Sequence, residues 1–368
     1  MPRTIIEFHA LHTVPPSNLN RDDTGSPKTA VFGGVRRSRV SSQSWKRAIR
    51  LDFRETLDST DLGWRTKQIV RLVAERVMTI SNIDGPTARD LTVKAFNAGM
   101  IEVKIQKKGD EIEESGYLVF LSRNQINELA EAIATAFGKG EKLGKKQVTE
   151  ILKANNSIDL ALFGRMVAKE KFLNVDAACQ VAHAISVHGV ATDYDYYTAV
   201  DDQKDEEAES GAGMIGTVEF NSATLYRYAN LDVDRLRENL GDDAATTRAA
   251  VAFTRSFIRA MPSGKMNTFA NRTLPEVVLV TVRDSQAINL AGAFEQPIAE
   301  TNGRLERTCE ELRNHLVEVA KTYGERPLKI WTVRLGNRTK ALAETGDQVD
   351  LQGLLDGVGA LVSDRIGS

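Results

Sequence analysis

The sequence predicts a soluble α+β protein in which helices pack on one face of a sheet, and three observations support this class. Strand-like alternation opens the chain at residues 5–11 and returns at 277–282 and 328–333. Helical periodicity separates these later segments, with predicted helices at 244–260 and 306–323. This order is typical of an α+β sandwich. The length of 368 residues and the apolar content of 42% are enough for a sizeable core and roughly two domains.

The chain begins with a predicted strand, loop, strand and helix. Residues 13–30 carry Pro, Ser, Asn, Asp and Gly with little periodicity, which predicts a long loop that a ligand orders. A short strand at 31–32 follows. The hydroxyls at 41–42 are suited to capping a helix that runs to about Leu57. The inward face of this helix is predicted to hold Trp45, Ala48 and Ile49.

Residues from about 60 to 190 are predicted to be mainly helical. The predicted helices are 69–80, 87–98, 125–137, 147–154 and 177–188. One hairpin interrupts them and pairs 101–105 with 118–120 across a charged turn at 107–114. A second, longer hairpin is predicted at 193–226. Its tip region is acidic and contains Asp201, Asp202, Asp205, Glu206, Glu207 and Glu209.

Composition excludes several classes of protein. The 48 Lys and Arg are balanced by 50 Asp and Glu, and the formal net charge of −2 means that any charged binding surface is local. Cys179 and Cys309 match neither a disulfide framework nor a thiolate metal cluster, which favours a reducing, cytoplasmic setting. The first residues lack a signal core, and no stretch approaches the ~18 apolar residues of a membrane span. We therefore expect a soluble intracellular protein.

One segment of this neutral chain is strongly basic. Only Asp22 and Asp23 oppose its positive residues, which are Arg21, Lys28, Arg36, Arg37, Arg39, Lys46, Arg47 and Arg50. At about 100° per residue, five residues share a helix face that points largely away from the apolar residues: Gln43, Lys46, Arg47, Arg50 and Arg54. This face, the Gly33–Gly34 turn and unpaired amides at the helix start could hold a phosphate backbone. A solvated amphipathic helix is the alternative interpretation.

Two further basic segments give weaker signals. Lys139, Lys142, Lys145 and Lys146 lie in a glycine-bearing loop between two predicted helices, where loose contact with a phosphate strand and a plain exposed loop are equally favoured. The turn at 261–265 ends in Lys265, and its amides could surround a phosphate. Alone, such a turn is more often a simple connection.

Catalytic and metal sites are weakly indicated. Cys179 and His183 are four residues apart on a predicted helix and could share a metal ion, although packed core residues are the favoured interpretation. Asp22 and Asp23 could hold Mg²⁺ and make the loop a nuclease centre, whereas capping or pairing with arginines is the simpler interpretation. Within the basic segment neither Gly-x-x-x-x-Gly-Lys-Ser/Thr nor Gly-x-Gly-x-x-Gly occurs, so a nucleotide cofactor is not indicated there.

Several motifs resemble one known family, the CasC-type backbone subunit of the type I-E CRISPR surveillance complex, Cascade. The resemblance covers nearly the whole chain. It rests on the segments Leu19–Asp23, Phe32–Ala48, Leu162–Met166, Val175–His188 and Tyr226–Asn230.

The resemblance implies an α+β fold with three parts. A palm with a modified RNA-recognition-motif (ferredoxin-like) sheet would comprise residues 1–59, 183–192 and 227–368. A helical fingers insertion would occupy 60–182. A protruding β-hairpin thumb would occupy 193–226.

The resemblance also implies a non-catalytic subunit that multimerises along CRISPR RNA and presents its spacer to target DNA in antiviral defence. Implied partners are CRISPR RNA, target DNA, neighbouring copies of the chain and other Cascade subunits, with no cofactor and no metal ion. The implied RNA-binding residues are Arg21, Lys28, Ser41, Gln43, Lys46, Arg50, Met166 and Lys265. The implied DNA-binding residues are Lys139, Lys142, Lys145 and Lys146.

Met166 would act as an apolar wedge at a gap in the guide–target duplex, where its polarizable side chain would fill the unstacked step. Without the resemblance, an ordinary core position is the favoured interpretation. Two alternatives to the scaffold remain open: a metal-dependent nuclease that uses Asp22 and Asp23, and a generic single-stranded nucleic-acid binder.

Overall fold

The computed structural model describes residues 3–106, 112–167, 171–199, 214–299 and 303–367, and it confirms an α+β protein. The strands are β1 (Ile5–Ser17), β2 (Thr29–Phe32), β3 (Val35–Val40), β4 (Gly63–Thr66), β5 (Val103–Gln106), β6 (Ile112–Ser115), β7 (Val119–Ser122), β8 (Cys179–Val181), β9 (Ala184–Ser186), β10 (Asp193–Ala199), β11 (Met214–Asp232), β12 (Val277–Arg283), β13 (Lys329–Arg334) and β14 (Asp347–Gln348). The helices are α1 (Ser42–Asp52), α2 (Ile69–Ile80), α3 (Gly85–Ala98), α4 (Arg123–Gly138), α5 (Lys145–Lys153), α6 (Ile158–Phe163), α7 (Val233–Leu240), α8 (Asp243–Arg259), α9 (Met266–Phe269), α10 (Arg304–Tyr323) and α11 (Leu351–Gly367).

The chain divides into two compact units. The first unit comprises Met1–Asp52, Val181–Asn230 and Phe253–Val358. The second comprises Phe53–Gln180, Leu231–Ala252 and Gly359–Ser368. None of the helices in the described part of the chain combines the length and the apolar character needed to span a bilayer.

A large, mainly antiparallel sheet forms the centre of the first unit. The strand order is β14-β13-β12-β1-β11-β9-β3-β2, and β10 extends from β11 as the second arm of a hairpin. β1 pairs with β12 from Ile5 opposite Arg283 to Leu11 opposite Val277, and β13 lies on the other side of β12. The strands predicted at 5–11, 277–282 and 328–333 are therefore confirmed.

The middle of this sheet contains a buried carboxylate, Glu7. Thr281 Oγ1 and Arg283 Nε each donate to Glu7 Oε2 at 2.6 Å, and the Tyr228 hydroxyl donates to Oε1 at 3.3 Å. Burial alone would raise the pKa of Glu7, but hydrogen bonds and positive charge from His9, Thr281 and Arg283 lower it to about 2. The carboxylate therefore stays ionised and holds β1, β11 and β12 together.

The second unit is mainly helical and has its own core. Apolar residues of α2, α3, α4 and α5 fill this core, together with β7. Capping residues define the helix starts: the Asp84 carboxylate accepts from the Thr87 amide at 3.0 Å, and Ser122 and Gln125 form a reciprocal capping box. The helices predicted at 69–80, 87–98, 125–137 and 147–154 are confirmed within about two residues.

Three secondary-structure predictions are wrong. Residues 177–188 form no helix; instead β8 and β9 are three-residue strands, and β9 pairs with β3 and β11. The first hairpin pairs β5 with β6, whereas 119–122 pairs with β4. α1 ends at Asp52 rather than near Leu57, because its last turn tightens into a 3₁₀ turn over Phe53–Glu55. β9 pairs with β3, and β7 pairs with β4. These partners are distant in sequence, so local periodicity does not identify them.

Candidate nucleic-acid interface

The first helix has an apolar face and a polar face. Ser41 caps it, since Ser41 Oγ accepts from the Ser44 amide at 3.2 Å. Trp45, Ala48 and Ile49 are buried, as predicted. The other face holds Gln43 and Arg47, which are exposed, and Lys46 and Arg50, which are half-buried.

A stacked arginine fixes α1 to the sheet. The Arg227 guanidinium lies 3.7 Å from the centroid of the Trp45 ring and donates to His12 Nδ1 at 3.0 Å and to the Phe257 carbonyl. Burial lowers the pKa of Arg227 to about 9, and burial with the Arg227 charge lowers the pKa of His12 to about 3. Arg227 is therefore charged and His12 neutral at pH 7. This arrangement sets which side of α1 faces outward.

The loop predicted at 13–30 is shorter in the structure, since 13–17 belong to β1 and 29–30 to β2; the residues between them form a turn that is tied to the start of α1. Asn20 Oδ1 accepts from the Ser41 amide at 2.9 Å, and the Lys28 amide donates to the Asn20 carbonyl at 2.8 Å. Arg21 pairs with Pro27 across the turn through a β-bridge. Arg21 is exposed and Lys28 is half-buried, so the structure brings both loop cations to the N-terminal end of α1.

Asp22 stabilises this turn. Its Oδ1 accepts from the amides of Thr24 and Ser26, both at 3.0 Å, and from the Thr24 hydroxyl at 2.7 Å. The Thr24 hydroxyl has the largest effect in lowering the pKa of Asp22. Among the described residues, no group of three or more His, Cys, Asp or Glu side chains is placed to hold a metal ion. The geometry around Asp22 therefore matches the capping interpretation.

His183 contacts the same end of α1, whereas the sequence favoured a packed core residue over a shared metal ion; the core interpretation is wrong because the His183 side chain is exposed. Its Nδ1 lies 3.3 Å from the Ser42 amide nitrogen and 3.3 Å from Arg39 Nη1, and both groups are donors. Burial first, and then the charges of Arg39 and Lys28, lower the pKa of His183. His183 lies in the connection between two short strands, so it does not share a helix face with Cys179. No local sequence signal links His183 to residues 140 positions earlier.

The start of α1 offers fewer open amides than the sequence suggested. The Ser42 amide donates to His183 and the Ser44 amide donates to Ser41. For these two amides, the prediction of a direct phosphate contact is wrong because protein atoms already accept from them. Binding of a phosphate at this end of α1 must therefore depend more on side chains than on these two amides.

Arg37 is a structural residue rather than part of the basic surface. It is fully buried, and it donates to the carbonyls of Ser186 at 3.1 Å, Phe294 at 2.9 Å and Glu295 at 3.2 Å. Burial lowers its pKa. The basic segment therefore contributes fewer cations to the surface than its composition suggested.

Lys265 lies beside the same loop. It has a left-handed backbone (φ 48°) immediately before the short α9. The preceding Gly264 packs so closely that an added Cβ would lie 2.3 Å from the Leu19 carbonyl oxygen and 2.6 Å from that of Asn18. This contact brings Lys265, which is half-buried, close to the beginning of the loop that carries Arg21.

In the second unit, Met166 projects from an anchored segment. Gly164 has φ 77°, and the buried Arg165 donates to the carbonyls of Leu173 at 2.6 Å and Leu152 at 2.8 Å. Met166 itself is 85% exposed, which excludes the core interpretation within this chain. An apolar side chain held in solvent in this way is available for a partner.

The remaining predicted residues lie in two other regions. Lys139, Lys142, Lys145 and Lys146 are all exposed, at the end of α4, in the connection to α5 and at the start of α5. β10 and β11 form the predicted long hairpin, with Asp193 opposite Phe220 and Ala199 opposite Met214. The acidic residues predicted at its tip (201–209) lie outside the described residues.

Comparisons with known proteins give one consistent result. The model of a family described as "CT1975-like protein" matches residues 6–357. A chain of a solved "CRISPR RNA-guided surveillance complex, pre-nicking" is 36% identical, with a TM-score of 0.83 over 97% of this chain and 100% of that chain. A chain of another "CRISPR RNA-guided surveillance complex" is 31% identical, with a TM-score of 0.73 over 97% of this chain and 99% of that one. A search of curated proteins finds no match.

Proposed function

The chain belongs to the CT1975-like protein family, and we propose that it is a non-catalytic, RNA-binding backbone subunit of a CRISPR RNA-guided surveillance complex. In this proposal it is a CasC-type subunit of a type I-E Cascade, and neighbouring copies line up along one CRISPR RNA in the cytoplasm. Other Cascade subunits complete the assembly.

One observation carries the proposal: three segments that each carry cationic residues pack together at the start of α1. Arg21 and Lys28 come from the loop, Lys46 and Arg50 from the helix, and Lys265 from a turn that packs on the same loop. From Gln43 to Arg50 the helix rises about 10 Å, the length of a few nucleotides. Such a surface suits a short stretch of RNA backbone.

Multivalency explains how a chain with a net charge of −2 can bind a polyanion. Each copy needs only a few phosphate contacts, because copies that bind side by side on one strand add their affinities. The protein contacts go to sugar and phosphate, so they require no particular sequence. In this proposal the guide reads the target by base pairing, as in other RNA-guided effectors.

The other features fit the remaining parts of a Cascade backbone subunit. We assign the sheet of the first unit to an RNA-recognition-motif-like palm, the helical insertion at 60–182 to the fingers, and the β10–β11 hairpin to the thumb. The exposure of Met166 supports its assignment as a wedge in the guide–target duplex. The four exposed lysines at 139–146 supply contacts to target DNA.

The RNA that copurifies with the protein tests this function. We expect a population of uniform guides, each flanked by repeat sequence, after expression in a host that carries a CRISPR array. A random population of cellular RNA would instead support a generic single-strand binder.

A double substitution, Asp22→Ala with Asp23→Ala, tests the nuclease alternative. We expect guide and target RNA or DNA to remain uncut by wild-type protein with Mg²⁺, and the variant to behave identically. Cleavage that depends on these two carboxylates would overturn the non-catalytic assignment.

A further inference from the structure

His183 has a fixed orientation at the edge of the surface described above. Both hydrogen-bond donors, the Ser42 amide and Arg39 Nη1, point at the same ring nitrogen, Nδ1. A nitrogen that accepts hydrogen bonds carries no proton, so the ring proton of neutral His183 is on Nε2. Nε2 has no partner among the described residues, and the side chain is exposed.

The surroundings of His183 favour an anionic acceptor. Lys28 and Arg39 are the charged groups that act on it, and both are positive. Arg39 is itself held in place, since its Nε donates to the Thr29 carbonyl at 3.3 Å. Partial burial, and then the charges of Arg39 and Lys28, lower the pKa of His183, which favours the neutral ring with its N–H donor on Nε2.

We propose that His183 Nε2–H donates a hydrogen bond to a phosphate oxygen of the bound RNA strand, with Lys28 and Arg39 as the nearby positive charges. This inference rests on the proposed RNA-binding function and adds a residue that the basic segment does not contain. It assigns His183 two contacts: Nδ1 accepts from the start of α1, and Nε2 donates to the RNA.

Two substitutions separate these contacts. In His183→Asn the side-chain oxygen lies near the Nδ1 position and keeps the acceptor for the Ser42 amide, but the outward donor is lost. In His183→Gln the amide nitrogen reaches the Nε2 position and restores an outward donor, but the acceptor is lost. A purely structural role and a phosphate-binding role therefore predict opposite orders for the two variants.

The test measures the affinity of the full chain, purified free of RNA, for a single-stranded RNA oligonucleotide of mixed sequence, together with thermal unfolding. We expect His183→Gln to bind within about 2-fold of wild type and His183→Asn to bind about 5-fold more weakly, as for one neutral hydrogen bond. His183→Asn should unfold at a higher temperature than His183→Gln, because it keeps the acceptor for the Ser42 amide. Since the contact is uncharged, neither variant should change the slope of log affinity against log salt.

His315→Asn and His315→Gln, on α10, are matched controls that should bind as wild type. Equal affinities for both His183 variants, or weaker binding by His183→Gln than by His183→Asn, overturn the inference while RNA binding by wild type stands. Failure of wild-type protein to bind the RNA overturns the proposed function and this inference together.

Discussion

Basic side chains of one short segment have different roles in this protein. Arg37 is buried and bonded to three carbonyls of residues 186, 294 and 295, whereas Arg47 on the next helix is exposed. Composition treats the two arginines alike because these three acceptors of Arg37 lie more than 140 positions from it in the sequence. The polar face of α1 could be predicted from helical periodicity alone, but the contributions of Arg39 and His183 depend on tertiary contacts.

Lys46→Ala combined with Arg50→Ala should weaken RNA binding uniformly across sequences. Each lost phosphate contact removes about 0.7 from the slope of log affinity against log salt for a single strand, so we expect a reduction of about 1.4. Titrations at several salt concentrations measure this slope. Arg313→Ala with Lys321→Ala, two exposed cations of α10, is the matched control. Unchanged slopes in the α1 variant would exclude this face as the phosphate contact.

Neighbouring residues 165 and 166 should differ sharply in their effect on stability. Arg165→Ala removes a charged donor from three buried carbonyls, those of Phe120, Leu152 and Leu173, so we expect a loss of about 3 kcal/mol. Met166→Ala should cost less than about 0.5 kcal/mol because the side chain is 85% exposed. Denaturant unfolding measures both variants. Similar losses would show that Met166 is packed in the folded protein.

At the scale of whole elements, long amphipathic segments were predictable and short paired strands were not. α2 and α4 lie where periodicity predicted them because each presents a continuous apolar face to the core. β8 and β9 were predicted as one helix, since three-residue strands give no distinctive period and exist through pairing with distant strands. The paired strands β4 and β7 are separated by more than 50 residues.

The β2–β3 turn gives an element-scale prediction with an internal control. Gly33 and Gly34 both have positive φ, at 58° and 76°. An added Cβ at Gly33 would lie 1.6 Å from the Glu295 carbonyl oxygen, whereas Gly34 has nothing within 4 Å. Gly34→Ala should cost about 1 kcal/mol from backbone strain alone, and Gly33→Ala clearly more. Equal losses of unfolding free energy would contradict this close approach.

At the scale of the whole molecule, the α+β class followed from the order of elements, but the polar centre of the sheet did not. Glu7 lies within an alternating strand and has no local signal for burial, because its partners come from β11 and β12. The concentration of cationic residues near the start of α1, in a chain with a net charge of −2, is also a property of the folded chain. In the proposed function, this distribution of charge would keep nonspecific binding by single copies weak while a row of copies holds one strand.

Low pH should lower the unfolding free energy because Glu7 becomes protonated. Its folded pKa of about 2 is below the usual 4.5, so its stabilisation is complete above about pH 4.5 and is lost as pH falls toward 2. The difference corresponds to about 3 kcal/mol. Glu7→Gln should therefore be less stable than wild type at pH 7. The difference in unfolding free energy between the two proteins, measured by denaturant unfolding, should become smaller between pH 5 and pH 3. Glu318→Gln, at an exposed position of α10, is the control. A gap that is constant with pH would contradict this role of Glu7.

RNA content after purification from cells with a CRISPR array measures the role of the α1 surface most directly. One variant replaces Arg21, Lys28, Gln43, Lys46 and Arg50 with alanine, and the matched variant replaces Lys139, Lys142, Lys145 and Lys146. We expect the first to fold and to lose its guide RNA, and the second to keep guide RNA at the wild-type level. Wild-type RNA content in the folded five-residue variant would show that the RNA binds elsewhere.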